Sequence, residues 1–127
     1  MMIGIGIDIV EVHRIRKALE DNPALKEKIF TGGEIAYCQQ RKNTNQHFGG
    51  RFAAKEAALK ALGTGWSQGI SWRDAEIIDG NLGAPTLVFH GKAKEFFEES
   101  GACRVHLSIT HSSEHAVAVV VLEGRAG

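Results

Sequence analysis

The sequence predicts an α+β fold in which a mainly antiparallel sheet packs against a long central helix. Three observations indicate this class: strand-like alternation at the start of the chain, an alanine-rich helical segment in the middle, and two pairs of strand patterns separated by a short helix in the second half. A chain of 127 residues is long enough for one core and too short for two. We therefore expect a single domain over residues 1–127.

The first half begins with a strand over residues 2–9. Alternation places Gly4, Gly6 and Asp8 on one face, where the absence of glycine side chains allows another element to approach closely. The opposite, apolar face carries Ile3, Ile5, Ile7 and Ile9. Four helices are predicted to follow: from about Val10 to Asp21, residues 24–30, from a capping box at Thr31 and Glu34 to about Gln40, and, after a polar loop over 41–46, residues 47–62.

The second half is predicted to consist of strands and one short helix. Residues 75–79 and 85–90 indicate a hairpin across the glycine-containing turn at 80–83. Gly101 marks the end of a helix over 92–99. The remaining predicted elements are a strand over 105–110, a turn at 112–114 and a last strand over 116–122.

Composition limits the classes of function. Lysine and arginine total 15, and so do aspartate and glutamate, so the chain has no overall field that would attract nucleic acid or a membrane surface. The longest apolar run, from Ala116 to Leu122, is too short to span a bilayer. Cys38 and Cys103 lie far apart without a CxxC spacing, and no signal peptide precedes them, so we expect reduced thiols in a cytoplasmic chain.

The central helical segment separates its charged residues into two groups. At about 100° per residue, Arg51 and Lys55 fall on one side, and Glu56 and Lys60 fall on another. Five alanines cover most of the remaining circumference, which predicts that the first strand packs there and brings its aspartate toward Glu56. The segment ends at Gly63-Thr64-Gly65, where glycine is the expected helix terminator.

Asp8 and Glu56 are the residues best suited to metal chemistry, and each has two interpretations. Asp8 is a preferred N-cap residue with Glu11 three positions later, and Glu56 followed by Lys60 has the favourable orientation of a surface ion pair. Alternatively, the alanine surroundings place both carboxylates in a cleft, where they hold a divalent cation. Mg²⁺ is the natural choice, because it is typically bound by one or two carboxylates together with substrate phosphates.

Three further groups have both a structural and a binding interpretation. Gly63-Thr64-Gly65 is either a helix cap or a turn whose N–H groups and threonine hydroxyl cradle an anion. His111 ends a strand that also carries the Ser108 and Thr110 hydroxyls, so it is either an ordinary surface histidine or part of an anion-binding site. The basic residues of the first helix are either solvated or dock an acidic partner; they are His13, Arg14, Arg16 and Lys17.

Three motifs span nearly the whole chain in a characteristic order and spacing: Gly4–Glu11 (GIGIDIVE), Arg51–Gly65 (RFAAKEAALKALGTG) and Val105–Ser112 (VHLSITHS). Together they resemble the holo-acyl-carrier-protein synthase family, the small 4′-phosphopantetheinyl transferases. The resemblance implies the fold of these transferases. It also implies an enzyme that moves the phosphopantetheine arm of coenzyme A to a serine of apo acyl carrier protein and releases adenosine 3′,5′-bisphosphate. A role in fatty acid biosynthesis follows, with a polyketide carrier protein as the alternative.

The resemblance also implies roles for individual residues. Asp8 and Glu56 would hold Mg²⁺ on the pyrophosphate of coenzyme A, and Lys60 would neutralise charge on the same phosphates. Glu56 or a metal-bound water would accept the serine proton. Arg14 would belong to the surface that meets the acidic carrier protein.

Family members of this size are typically homotrimers with the site between protomers. The resemblance therefore distributes the coenzyme A contacts over two chains: Arg51, Gly63 and Thr64 on one, and Ser108, Thr110 and His111 on its neighbour. Asn81, Gly83 and Pro85 on the hairpin match a segment near the nucleotide, and either Arg41 or Lys42 would reach the 3′-phosphate.

Two other functions fit the same residues. A different Mg²⁺-dependent phosphoryl or nucleotidyl transferase could use the carboxylate pair on another diphosphate substrate. A small oligomeric binding module would instead leave Asp8 as a helix cap and Glu56 with Lys60 as a surface pair. In that case, alanine at Asp8 or Glu56 costs about 1 kcal/mol of stability or less, and no metal-dependent activity is present.

Overall fold

The structure, a computed structural model that describes residues 1–80 and 83–126, has the predicted α+β architecture. Its elements in chain order are β1 (Met2–Glu11), α1 (Val12–Asp21), α2 (Ala24–Ile29), α3 (Gly32–Gln39), α4 (Thr44–Leu62), a short 3₁₀ helix (Trp72–Asp74), β2 (Ala75–Asp79), β3 (Pro85–Phe89), α5 (Gly91–Glu99), β4 (Ala102–His111) and β5 (His115–Gly124). The predicted order of elements is confirmed. No helix within this described part of the chain has the length and apolar character needed to cross a membrane.

Several boundaries differ from the prediction. β4 (Ala102–His111) and β5 (His115–Gly124) are longer than the strands predicted over 105–110 and 116–122. β1 continues to Glu11, because Glu11 still pairs with His115 of β5, and α1 therefore begins at Val12 rather than near Val10. α4 begins at Thr44 and takes up part of the predicted polar loop, where the Thr44 hydroxyl donates a hydrogen bond to the carbonyl of Arg41 at 2.6 Å. The capping box at the start of α3 is present with both of its hydrogen bonds, as predicted.

The described strands form two antiparallel sheets. β5 lies between β1 and β4 in the larger sheet, and β2 pairs with β3 in the smaller one. In the larger sheet Ile7 lies opposite Val119, and Val119 lies opposite Ser108. Its inner face packs against α4, and alternate residues of β5 that point this way are fully buried, among them Ala118 and Val120.

Close packing of β1 on α4 confirms the prediction from the glycine and alanine patterns. A Cβ atom on Gly6 would collide with the backbone oxygen of Ala57, and one on Gly4 would collide with that of Ala61. Ala57 is fully buried. The two backbones can approach this closely because the strand has no side chain there and the helix has only methyl groups.

The outer face of the larger sheet is apolar and open. Ile5, Ile7 and Ile9 are 57%, 59% and 62% exposed, which is unusual for three isoleucines in one row. Ile3, which the alternation predicts on this face, packs instead against the core. The reason is a β-bulge between Met2 and Gly4, since an extra residue on one strand reverses the direction of the side chain.

A buried ion pair joins the helices to the smaller sheet. Lys55 is fully buried, and its Nζ donates to Glu34 Oε1 at 2.9 Å, to the carbonyl of Ala75 at 2.6 Å and to that of Trp72 at 3.2 Å. The other oxygen of Glu34 accepts the backbone N–H of Ile77 at 2.9 Å. Because every donor of the ammonium group has a partner, the charge is tolerated inside the protein and fixes α3, α4 and β2 relative to one another.

Candidate active site

Asp8 lies inside β1 rather than at the start of a helix, so its interpretation as an N-cap is wrong. The N-cap position of α1 is Glu11, and no side chain caps it. Asp8 has the parity of Gly4 and Gly6 and therefore faces α4. Its Oδ1 accepts a hydrogen bond from Lys60 Nζ at 3.1 Å.

Lys60 is directed to β1, and the ion pair between Glu56 and Lys60 is absent from the described residues. Lys60 Nζ donates to the carbonyl of Ile7 at 3.0 Å as well as to Asp8. The lysine side chain is 54% exposed, so the ammonium group is available to a ligand from solvent. Asp8, Glu56 and Lys60 form one group, which we call the carboxylate–lysine cluster.

Glu56 is half-buried beside this pair. Burial raises the pKa of its carboxyl group, and the Asp8 carboxylate raises it further, while the Trp66 indole and the Lys60 ammonium oppose the change. The Asp8 and Glu56 carboxylates repel each other when both are charged, and Lys60 forms its ion pair with Asp8. A second cation near both carboxylates would stabilise their charged forms. The electrostatics of the cluster therefore favour a bound positive ion.

The residues present fit Mg²⁺ better than a metal enclosed by protein. No set of three or more histidine, cysteine, aspartate or glutamate side chains is suitably grouped for a metal ion in the described residues. Asp8 and Glu56 would supply two carboxylates to such an ion and leave the other positions to a substrate or water. Mg²⁺ is commonly bound in this way, because it keeps several waters and substrate oxygens in its octahedral shell.

The C-terminus of α4 lies next to the cluster. Gly63 closes the helix in the left-handed conformation, with φ 77°, as the glycine signal predicts. The Thr64 hydroxyl donates to the carbonyl of Gly65 at 3.1 Å and lies within reach of solvent. Lys60 occupies the last turn of the same helix. This end of α4 therefore carries a lysine, a hydroxyl and an exposed glycine turn.

A second group of candidate residues lies around the first half of α4 and includes residues of α3 and β4. The guanidinium carbons of Arg41 and Arg51 lie 3.6 Å and 3.7 Å from the centre of the Tyr37 ring. His47 packs edge-on against Tyr37 at 5.5 Å and against His111 at 5.1 Å between ring centres. These five residues form what we call the arginine–histidine cluster. Stacking on one ring allows two like charges to be held close together.

The arginine–histidine cluster is positioned to attract an anion. Arg51 is almost fully buried, and its only ion pair in the described chain, with Asp79 at 3.7 Å, is long. Its Nε is buried without a hydrogen-bond partner there. Burial lowers the pKa of His47, and the neighbouring His111 and Arg51 lower it further. This excess of positive charge would be relieved by a phosphate.

The two clusters are separate within one chain. Arg51 and Glu56 are five residues apart in sequence, which places them about 140° apart around α4. Arg51 also lies about 18 Å along the helix from Gly63. The structure therefore groups Arg51 with His111, and not with Gly63 and Thr64.

The remaining predicted contacts are distributed over several surfaces. Ser108 and Thr110 point to the open outer face of the larger sheet, whereas His111 has the parity of Ile109, whose side chain faces Gly50 of α4. The three are therefore not side by side in one chain.

Pro85 pairs with Asp79, the partner of Arg51, which brings this end of the hairpin to the arginine–histidine cluster. Gly83 has φ 83°, and Asn81 lies outside the described residues.

Arg14 lies on the exposed side of α1 and lines a groove of about 340 Å³. The groove runs between α1, the end of β1 and Phe52 of α4. Ile9, next to Asp8, lines it as well. The groove thus lies between α1 and the part of α4 one turn before Glu56.

Comparison with known proteins gives a consistent result. Residues 4–120 match the model of the 4′-phosphopantetheinyl transferase superfamily. The chain belongs to this superfamily. It is 48% identical to a holo-[acyl-carrier-protein] synthase of Geobacter sp. (strain M21) and 47% identical to one of Koribacter versatilis (strain Ellin345), in each case over 97% of this chain and 99% of the relative.

Solved structures of the transferases agree with this fold. A holo-(acyl-carrier-protein) synthase from Bacillus anthracis str. Ames, in complex with CoA (3′,5′-ADP), superimposes with a TM-score of 0.80 at 40% identity over 98% of this chain and 99% of that one. The enzyme from Neisseria meningitidis gives a TM-score of 0.86 at 36% identity over 97% of this chain and 99% of that one. This chain is accordingly a phosphopantetheinyl transferase with the fold of these enzymes.

Sequence reasoning missed several residues of this transferase's two clusters. Tyr37 and His47 bring the arginines and His111 together, yet a single tyrosine and a histidine in helical segments give no functional signal. The position of His47 one turn before Arg51 was the available clue. Trp66, which lies beside Glu56, belongs to an irregular segment without periodicity, so no pattern pointed to it.

Proposed function

We propose that this transferase moves the phosphopantetheine arm of coenzyme A to a serine of apo acyl carrier protein at the carboxylate–lysine cluster. The observation that supports this best is the packing of β1 on α4, which puts the Asp8 carboxylate against Lys60 and close enough to Glu56 to raise its pKa. The reaction forms a bond between the serine oxygen and the β-phosphorus of coenzyme A and breaks the pyrophosphate bridge. Adenosine 3′,5′-bisphosphate is the leaving group.

Asp8 and Glu56 would hold Mg²⁺ in this site. When bound, the ion supplies positive charge to the pyrophosphate oxygens, where negative charge grows during transfer. Lys60, whose ammonium group is half-exposed, contributes a second positive charge on the same side. Glu56 or a metal-bound water would accept the serine proton, and Glu56 is the carboxylate of this cluster that lies beside both Asp8 and Lys60.

The arginine–histidine cluster would bind the nucleotide end of coenzyme A. Arg41 stacks beside Arg51 on Tyr37, whereas Lys42 lines a different groove with His13 and Arg16. This arrangement favours Arg41 over Lys42 for the 3′-phosphate. The other nucleotide contacts that we propose come from the predicted residues Gly63, Thr64, Asn81, Gly83, Pro85, Ser108, Thr110 and His111.

The separation of the two clusters on α4 supports a site shared between chains. One coenzyme A would reach the carboxylate–lysine cluster of one chain and the arginine–histidine cluster of a neighbour. The open face of the larger sheet offers the surface for assembly, because its exposed isoleucines lie in register with partly exposed valines of β5. We propose a homotrimer assembled through this face, located in the cytoplasm.

Arg14 supports the docking of the carrier protein. Its side chain is exposed beside the groove that runs between α1, the end of β1 and Phe52 of α4. An acidic carrier protein bound to α1 would be attracted by this charge and would present its serine along the groove. A carrier protein of fatty acid biosynthesis is the partner that we propose.

The decisive experiment is the mass spectrum of the carrier protein after incubation with the chain, coenzyme A and Mg²⁺. The expected result is a mass gain of one phosphopantetheine group on the serine. Asp8→Asn and Glu56→Gln should each lower kcat/KM by about 10²-fold or more, because each removes a carboxylate that would hold the cation whose charge stabilises the transition state. Thermal unfolding should stay near that of the wild type in both variants.

Glu99→Gln is the matched control, since it makes the same change at an exposed position of α5. It should leave the rate unchanged. Release of nucleotide without a mass gain on the carrier protein would instead indicate another Mg²⁺-dependent transferase. Unchanged rates in the Asp8 and Glu56 variants would contradict the proposed site.

A further inference from the structure

The Nε1 atom of Trp66 is a buried polar atom without a partner. Within residues 1–80 and 83–126, no group accepts a hydrogen bond from it in suitable geometry. Buried donors are normally satisfied, and one that is not calls for an explanation such as a role in the reaction. The indole of Trp66 is close enough to the Glu56 carboxylate to lower its pKa, so this carboxylate is the acceptor within reach.

The Trp66 ring is held by a stack of aromatic side chains. Its centre lies 3.7 Å from that of Trp72, and Trp72 in turn lies 5.1 Å from Phe52 with nearly parallel planes. Phe52 is one helical turn before Glu56 on α4, so the stack lies along the helix face that carries Glu56. The indole therefore has a fixed location beside the carboxylate.

The stack is anchored in the core by the buried ion pair. Lys55 Nζ holds the carbonyl of Trp72 at 3.2 Å and is itself held by Glu34 at 2.9 Å. A chain of contacts through Lys55 and Trp72 thus connects Glu34 to Trp66, and each contact is either buried or an aromatic stack. A group supported in this way can orient a neighbour, since its own position costs no further entropy when a ligand binds.

We propose that Trp66 is a positioning residue for Glu56: with the cation in place, its indole N–H, which has no acceptor among the described residues, would donate to one carboxylate oxygen and leave the other free for the cation. This inference rests on the proposed function of the carboxylate–lysine cluster. Carboxylates that bind metals are usually hydrogen-bonded by such outer groups, which fix their orientation. Trp66 itself touches neither the pyrophosphate nor the serine in this role.

Trp66→Phe tests the proposal, because phenylalanine retains an aromatic ring in the stack and removes the N–H group. Mn²⁺ binding is measured by electron paramagnetic resonance in the presence of coenzyme A and without carrier protein. We expect Mn²⁺ affinity to fall about tenfold, with a similar rise in the Mg²⁺ concentration that half-saturates transfer. The KM for carrier protein and the melting temperature should change little, whereas a merely structural role would change the melting temperature first.

A double-mutant cycle with Glu56→Gln provides the control. If Trp66 acts through Glu56, Trp66→Phe should not weaken Mn²⁺ binding further in the Glu56→Gln background. An equal loss in both backgrounds, or wild-type affinity in Trp66→Phe, overturns the inference while the proposed function stands. Absence of both transfer and coenzyme A-dependent Mn²⁺ binding in the wild type overturns the proposed function, and the inference with it.

Discussion

At the scale of single residues, burial and ion-pair partners separate the charged groups that can contact a ligand from those that stabilise the fold. Lys55 and Lys60 are both lysines of α4, five residues apart, and the sequence places them on different sides of the helix without showing which side is buried. Lys55 is fully buried with Glu34, whereas Lys60 is half-exposed and bound to Asp8. Only Lys60 can therefore meet a substrate, and Lys55 serves the fold.

The lowered pKa of His47 leads to a pH prediction for nucleotide binding. In the free chain, burial and the nearby positive groups keep His47 neutral at pH 7. A phosphate bound in the arginine–histidine cluster would raise this pKa, so binding takes up a proton. The contribution of His47 to affinity should consequently increase as the pH falls through the pKa of the bound form, and level off below the pKa of the free form.

Calorimetry of adenosine 3′,5′-bisphosphate binding in two buffers with different heats of ionisation measures this proton uptake. His47→Asn should take up fewer protons than the wild type, and the difference corrects for titration of the phosphate itself. His90→Asn, on the far side of β3 and bonded to Glu76, is the matched control. Equal uptake by the wild type and His47→Asn would exclude His47 from the phosphate site.

At the scale of elements, the contact between β1 and α4 creates the carboxylate–lysine cluster. Asp8 belongs to the strand, while Glu56 and Lys60 belong to the helix. The distance between the backbones is short because Gly4 and Gly6 have no side chains. Residues that carry no chemistry therefore determine where the reacting groups meet.

Gly6→Ala tests this contact. The added methyl group collides with the backbone oxygen of Ala57 and must push strand and helix apart, so the free energy of unfolding should fall by about 1–3 kcal/mol. The transfer rate should fall beyond the loss of stability, since Asp8 moves with the strand. Urea unfolding and the carrier-protein assay measure the two effects.

Gly32→Ala is the control for the element-scale prediction. A Cβ atom at Gly32 meets nothing within 4 Å, and this residue has no positive φ. The free energy of unfolding of Gly32→Ala should equal that of the wild type or exceed it slightly, because alanine restricts the conformations of the unfolded chain. If Gly6→Ala were as stable and as active as Gly32→Ala, close approach of β1 to α4 would not be needed.

At the scale of the whole molecule, one chain presents two incomplete sites and one open apolar face. The carboxylate–lysine cluster, which we propose for the pyrophosphate, and the arginine–histidine cluster, which we propose for another phosphate, lie on different sides of α4. The row of Ile5, Ile7 and Ile9 is exposed on the larger sheet. Assembly through this face would explain both features.

Ile7→Lys should abolish this assembly. A charge in the middle of the apolar row cannot be buried without a partner, so the molar mass measured by light scattering should fall from that of a trimer to that of a monomer. Transfer activity should fall with it, while the circular dichroism spectrum is retained. Ile78→Lys makes the same change at an isoleucine of β2 that is 42% exposed, and should leave the mass unchanged. An Ile7→Lys trimer would contradict the proposed interface.

The sequence by itself determined the order of helices and strands, because each of them is defined by a local period, a cap or a glycine. It also predicted that β1 approaches α4, since a strand face of glycines and a helix face of alanines allow two backbones to pack closely. The three sequence motifs identified the family, and the family resemblance predicted that Asp8 and Glu56 hold Mg²⁺.

Only the tertiary structure decided which charges meet. Lys60 bonds to Asp8 across 52 residues rather than to Glu56 one turn away, and Lys55 bonds to Glu34 in another helix. Arg51 joins His111 through Tyr37 and His47, which no local pattern connects. The physical reason is that the partner of a long side chain on a helix depends on how deeply the side chain is buried and on which element packs against it. Both become defined only when the whole chain has packed.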